Sequence, residues 1–140
     1  MRHSTLLRIA SLIALPVLSA CEGILEPDDV VGTYSATTFT VTQQGTTTNL
    51  LATGATFSIT LAADGSTTGQ LFIPDAAEGG GDFTASMAGT FTMTGDNVVE
   101  FTQDADSFVR DMEFVAVKKK TLTGSENFSG DMVNVVLTRQ

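Results

Sequence analysis

From Val30 to the C-terminal end, apolar and polar residues alternate with a period of two. Phe57, Ile59 and Leu61 interleave with Thr56, Ser58 and Thr60, and Phe91 and Met93 with Thr90, Thr92 and Thr94. Phe39 and Val41 sit between Thr38, Thr40 and Thr42, and Val133, Val135 and Leu137 between Asn134, Val136 and Thr138. Side chains of an extended backbone point to opposite faces in turn, so each run predicts a strand with one apolar and one hydroxyl-bearing face. Threonine suits the wet face because its branched Cβ favours extended backbone. No window carries a sustained helical repeat.

Turn signals fall between the runs. Asp64-Gly65, Gly95-Asp96-Asn97, Gly124 and Ser129-Gly130-Asp131 supply residues that tolerate positive φ, as tight hairpins require. The pattern predicts eight or nine strands, near 32–42, 48–53, 55–62, 67–73, 84–94, 97–103, 107–117, 120–125 and 132–139. A flat sheet of sequential hairpins would leave two edges unpaired and its apolar face wet. Closure into an up-and-down antiparallel barrel of about eight strands removes both problems, and residues 30–140 are about the length it needs. A β-sandwich accounts for the same alternation.

The N-terminal segment is of another kind. Arg2 and Arg8 give a basic start, Ile9 to Leu18 form an apolar run of ten residues, and small residues lead into Cys21, the only cysteine. The run is too short to span a ~30 Å hydrocarbon core, which takes about 20 residues. It matches a secretory signal over residues 1–20, removed in the mature protein. Leu18-Ser19-Ala20-Cys21 also resembles the lipobox of bacterial lipoproteins, which implies an acylated Cys21 as first mature residue and a membrane attachment through it. Glu22, rather than aspartate, next to the cysteine implies the outer membrane, facing periplasm or cell surface. Residues 21–29, with Gly23, Pro27 and several acids, read as a lipid-anchored tether whose eight residues after Cys21 reach roughly 25–29 Å at full extension, leaving residues 30–140 as the domain.

Removal of the signal changes the charge and the chemistry. The full chain has seven basic and sixteen acidic residues; without Arg2 and Arg8 the formal net charge falls from −9 to −11. Such a surface repels phosphate backbones and anionic head groups, which argues against nucleic acid and against direct binding to a lipid surface. Lys118-Lys119-Lys120 is the one basic cluster and reads as a turn between strands. The mature chain would also lose His3, the only histidine, and it holds no Trp and a single tyrosine, Tyr34. Histidine-dependent triads and histidine zinc sites are then excluded, and no cofactor or metal is expected. The expectation is a protein that is not an enzyme.

Across residues 30–140 the chain resembles the lipocalins, in particular small bacterial lipocalin-like lipoproteins. Val31-Gly32-Thr33-Tyr34 is similar to the Gly-x-Trp opening of that barrel, with Tyr in place of Trp. The strand, Asp-Gly turn and strand around Phe57 to Ser66, the run Ala88 to Asp96, and the close Val135-Val136-Leu137-Thr138-Arg139 continue the likeness. The resemblance implies that Arg139 lies over the ring of Tyr34 as a cation–π contact closing the barrel base beside Gly32.

Candidate ligand chemistry centres on Arg110. In Phe108-Val109-Arg110-Asp111-Met112-Glu113-Phe114 it shares strand parity with Phe108, Met112 and Phe114. An arginine among apolar side chains inside a barrel needs a partner, and a fatty-acid carboxylate would serve. The alternative turns Val109, Val115 and Val117 inward and Arg110 outward, or shifts the register with a bulge. Met87, Met93, Met112 and Met132 suit either a deformable pocket or ordinary core. Asp104 and Asp106, and Asp75, Glu78 and Asp82 around three glycines, lack calcium-loop spacing and read as solvated loops. Two functions are therefore expected of a lipid-anchored envelope protein. One binds or carries a small apolar ligand in the barrel; the other is a filled-core interaction module acting through its rim on an envelope protein partner.

Overall fold

The computed structural model describes residues 23–140; the signal segment 1–20 and Cys21 lie outside the described residues. Ten strands follow one another: β1 Gly32–Gln43, β2 Thr46–Asn49, β3 Thr56–Leu61, β4 Ser66–Ile73, β5 Phe83–Ser86, β6 Gly89–Thr94, β7 Val98–Gln103, β8 Phe114–Val117, β9 Thr121–Phe128 and β10 Asp131–Arg139. All the pairings are antiparallel. β2 and β3 both pair with β1, and β5 and β6 both pair with β4, so each couple forms one interrupted strand. β10 pairs with both β9 and β1, from Tyr34↔Arg139 to Thr42↔Met132, and closes the ring. The result is a closed eight-stranded antiparallel β-barrel with up-and-down order, as the alternation predicts.

The alternation becomes inside and outside. Phe57, Ile59 and Leu61 of β3, Val99 and Phe101 of β7, and Val133, Val135 and Leu137 of β10 are buried. Outside, hydroxyls pair across strands: Thr33 with Thr60 at 2.9 Å, Thr37 with Thr138 at 2.9 Å and Thr42 with Thr47 at 2.7 Å. Such cross-strand pairs contribute about 0.2–1 kcal/mol each. In β1 a bulge between Ala36 and Thr38 changes the parity, so that even-numbered Tyr34 and odd-numbered Phe39 both face inward.

Three predicted strands are corrected. The run 48–53 is β2 followed by a 3-10 turn at Leu51–Thr53, because Asn49 Oδ1 accepts from the N–H groups of Leu51 and Ala52 and turns the chain. The run 84–94 breaks at Met87 and Ala88. There the Met87 carbonyl leaves the ladder to accept from Thr67 Oγ1 at 2.7 Å, and the Ser86 hydroxyl accepts from Ala88 N–H. The run 107–117 is strand only in β8; Phe108–Asp111 is a 3-10 turn, which abolishes the two-residue parity there.

The N-terminal residues are not a free tether throughout. Pro27–Val30 is a 3-10 turn lying across the barrel end, with Val30 buried. Leu25 N–H donates to Asn97 Oδ1 at 2.6 Å, in the β6–β7 turn, and Lys119 Nζ donates to Asp29 at 2.6 Å from the β8–β9 turn. The hydrogen bond from Lys119 holds the Asp29 carboxyl below its ordinary range. The chain is thus clasped from Leu25 onward.

Candidate functional site

The barrel has two dissimilar ends. The lower one carries the N-terminal turn, the C-terminus and the β3–β4, β6–β7 and β8–β9 turns. It brings Gly32, Tyr34 and Arg139 together. Tyr34 is fully buried and donates its hydroxyl hydrogen to the Val30 carbonyl at 2.9 Å. Arg139 Nη2 donates both to that hydroxyl, at 3.0 Å, and to the Asp29 carbonyl, at 2.7 Å. Its guanidinium carbon stands 5.4 Å from the ring centre. Burial raises the Tyr34 pKa, partly countered by Arg139, so the hydroxyl stays a donor at neutral pH. A Cβ at Gly32 would lie 2.9 Å from Arg139 Nε, and the backbone φ there is +150°, so glycine is what lets the arginine lie flat against the strand.

This arrangement ties the N-terminal turn, the first strand and the last strand through one hydroxyl. Tyr34→Phe keeps the ring and removes only that hydroxyl. It leaves the Val30 carbonyl without its side-chain donor and Arg139 with one acceptor fewer. The expected loss is about 1–3 kcal/mol in urea unfolding; an unchanged midpoint would show that the hydroxyl bridges nothing of consequence.

The interior is occupied by side chains. Phe39, Phe57, Leu71, Met87, Phe114 and Leu122 converge there, each with almost no exposure. Phe101 and Phe114 meet edge to face with centroids 5.4 Å apart. Of the residues predicted for a ligand, Met112 and Phe114 are buried members of this core. Phe108 covers its upper end, half-buried, with its ring 5.6 Å from Phe39, 6.4 Å from Phe57 and 6.2 Å from Phe128. Arg110 does not join them. Its side chain is 40% exposed and pairs with Asp106 at 2.7 Å and Asp111 at 3.7 Å. The 3-10 turn points Val109 inward and Arg110 out, so the inward reading of Arg110 is corrected.

The sequence reading passed over a buried polar group. Gln103 continues the inward parity of Val99 and Phe101, and its Nε2 donates to the Met87 carbonyl at 3.3 Å, beside Thr67. That parity was the available signal. Two clefts open outward at the lower end rather than into the barrel. One, of about 360 Å³, lies between Gly23, Leu25, Asn97 and the segment Val115 to Lys119. The other, of about 300 Å³, runs between Pro27, Ala63 and Phe91.

The upper end is acidic. Asp75, Glu78 and Asp82 lie in the β4–β5 loop, Asp104, Asp106 and Asp111 in the β7–β8 loop, and Asp131 at the β9–β10 turn. Arg110 is the basic residue among them. Among the described residues no three His, Cys, Asp or Glu side chains converge as a metal site.

The geometry defines a closed eight-stranded barrel with a packed interior, one end tied by Tyr34 and Arg139 and the other ringed with acids. Comparisons of the chain with protein-family models, with curated proteins and with solved structures find no match.

Proposed function

We propose that the protein is a lipocalin-like, non-enzymatic interaction module, anchored to the outer membrane through acylated Cys21, that engages a protein partner by its acidic upper rim. The observation that carries this reading is the filled interior. Phe39, Phe57, Met87, Met112 and Phe114 occupy the volume a fatty-acid tail would need, and Phe108 covers its upper end. Arg110, the residue that would receive a carboxylate, is engaged outside by Asp106. Both observations favour the interaction module over a carrier.

The rim supports the kind of partner. The acids of the β4–β5 and β7–β8 loops and of the β9–β10 turn, two of them paired with Arg110, attract a basic surface, and such complementarity acts on encounter rate and is weakened by salt. Exposed loops on a rigid barrel are also where recognition residues are tolerated without loss of fold.

The test is photo-crosslinking in the native envelope from a probe at position 106. A discrete protein adduct is expected, reduced about tenfold when Glu78→Lys, Asp104→Lys and Asp131→Lys are combined. Native mass spectrometry of the protein purified without detergent should show the polypeptide with no molecule in its interior. A stoichiometric fatty acid in that spectrum, or an adduct indifferent to the three charge reversals, would overturn the rim reading.

A further inference from the structure

We propose that the lower end of the barrel, at the β8–β9 hairpin, is a second membrane contact that lays Ile24, Val115 and Val117 on the lipid surface beside the Lys118-Lys119-Lys120 turn. Among the described residues, these three are the large apolar side chains left exposed, at 80%, 43% and 37%. Two of them lie side by side. Val115 and Val117 share one cleft with Gly23 and Leu25, the residues on either side of Ile24. β8 presents Phe114 and Ala116 to the core, so strand alternation forces its two valines outward where threonine occupies most other outer positions. Isolated exposed apolar residues are ordinary, but a cluster beside a charged turn marks an interaction surface.

Two further observations name the occupant. Three of the five basic residues that follow Cys21 are Lys118, Lys119 and Lys120, at the end of β8, in a chain that otherwise repels anionic surfaces. The chain also leaves the barrel here. Gly23 lines the cleft, and Cys21 stands two residues before it, so an acyl chain on Cys21 enters the bilayer within reach of this face. Apolar side chains flanked by lysines are what settles at the boundary between head groups and acyl chains, the lysine stems lying along the apolar surface with their charges at the phosphates.

Acids are present at the same end, and several are engaged, one of them by the lysine turn itself. Asp29 is paired with Lys119, Asp64 accepts from Ser66 within its own turn, and Asp28 lines the other cleft. Glu26 and Asp96 remain, so the attraction belongs to the lysine turn and not to the whole end. The inference rests on acylation of Cys21, which sets the orientation. It adds that the barrel does not swing freely on its lipid but stands with its β8–β9 side down and its acidic rim away from the membrane.

The experiment uses the full chain, processed in its host, purified from membranes and reconstituted in phosphatidylethanolamine–phosphatidylglycerol vesicles. Single-thiol variants Val117→Cys and Glu78→Cys carry an environment-sensitive fluorophore. An acylated Cys21 is a thioether and takes no label. A label at position 117 is expected to shift to the blue and to be quenched several-fold more by nitroxide lipids than one at position 78. Adding Lys118→Glu and Lys120→Glu should return the 117 label to its aqueous spectrum. Equal, water-like quenching at 117 and 78 would overturn the proposal, as would shielding of 117 without lipid quenching, which would point to a protein or a second copy on this face. Two labels per chain would show an unmodified Cys21 and so remove the anchor reading itself, an outcome separable from the others by mass.

Discussion

Replacing Phe114 with alanine is expected to lower the free energy of unfolding by about 3–5 kcal/mol. Phe114 is the inward residue of the short strand β8, fully buried, with its ring against Phe101. It pairs with Val99 on one side and Gly124 on the other, so it sits where the barrel wall passes from β7 to β9. The strands around it are held by their ladders and cannot collapse fully into the space it vacates, so the loss includes a cavity as well as the transfer of the ring. The substitution should also open space inside the barrel. A cavity lined by phenylalanine, methionine and leucine stays dry and accepts small apolar molecules. The Phe114→Ala protein should bind an apolar probe that the parent protein ignores, measured by fluorescence titration, alongside a fall in the urea midpoint. A parent protein that bound the probe equally well would mean that the interior is not filled.

Gly69→Ala should be damaging for a different reason, at least about 3 kcal/mol. Gly69 lies within β4 opposite Ile59, with φ of +134°, a region that residues with a Cβ rarely enter. The added Cβ would overlap the Ser58 carbonyl oxygen and lie 2.9 Å from Ile59 Cα. These are backbone atoms of the neighbouring strand, so relief requires breaking the β3–β4 ladder. The Gly69 carbonyl also receives the Met87 N–H at 3.0 Å, which holds the break between β5 and β6 against β4. Gly95→Ala is the control, since nothing lies within 4 Å of its Cβ position and its φ is not positive; it should change stability by no more than about 0.5 kcal/mol. Equal urea midpoints for the two variants would show that β4 tolerates a side chain at position 69.

How much of this was readable from the chain differs from element to element. The strands around Phe57, Phe91, Phe101 and Val135 follow from alternation alone, because each lies in an uninterrupted ladder where parity and face coincide. Arg110 shows where that logic stops. Its placement on the apolar face assumed that parity ran unbroken from 107 to 117, and one 3-10 turn at Phe108–Asp111 cancels it. β1 gives the complementary case. Tyr34 and Phe39 have opposite parity yet both face inward, because a bulge at Thr37 absorbs one residue. Bulges and single turns cost little and leave no compositional mark, so local sequence does not announce them. The pairing of Tyr34 with Arg139 is of a third sort, implied by a likeness in the opening and closing motifs and then met at 3.0 Å in the fold.

By itself, then, the sequence determined the all-β class, the hairpin order and the acidic, histidine-poor chemistry, since period two, turn glycines and residue inventory are local properties. Tertiary structure alone decided that Phe39, Met87, Met112 and Phe114 are buried together, that Arg110 stays outside and that Leu25 to Val30 are clasped to the lower end. It also decided that Val115, Val117, Lys118 and Lys119 line one cleft with Gly23 and Leu25. Each of these depends on residues brought together by closure of β10 on β1, or by turns that reset which way the next side chain points. A contact between positions ninety or a hundred residues apart, such as Lys119 with Asp29, has no period to be read from. It exists because the ring closes.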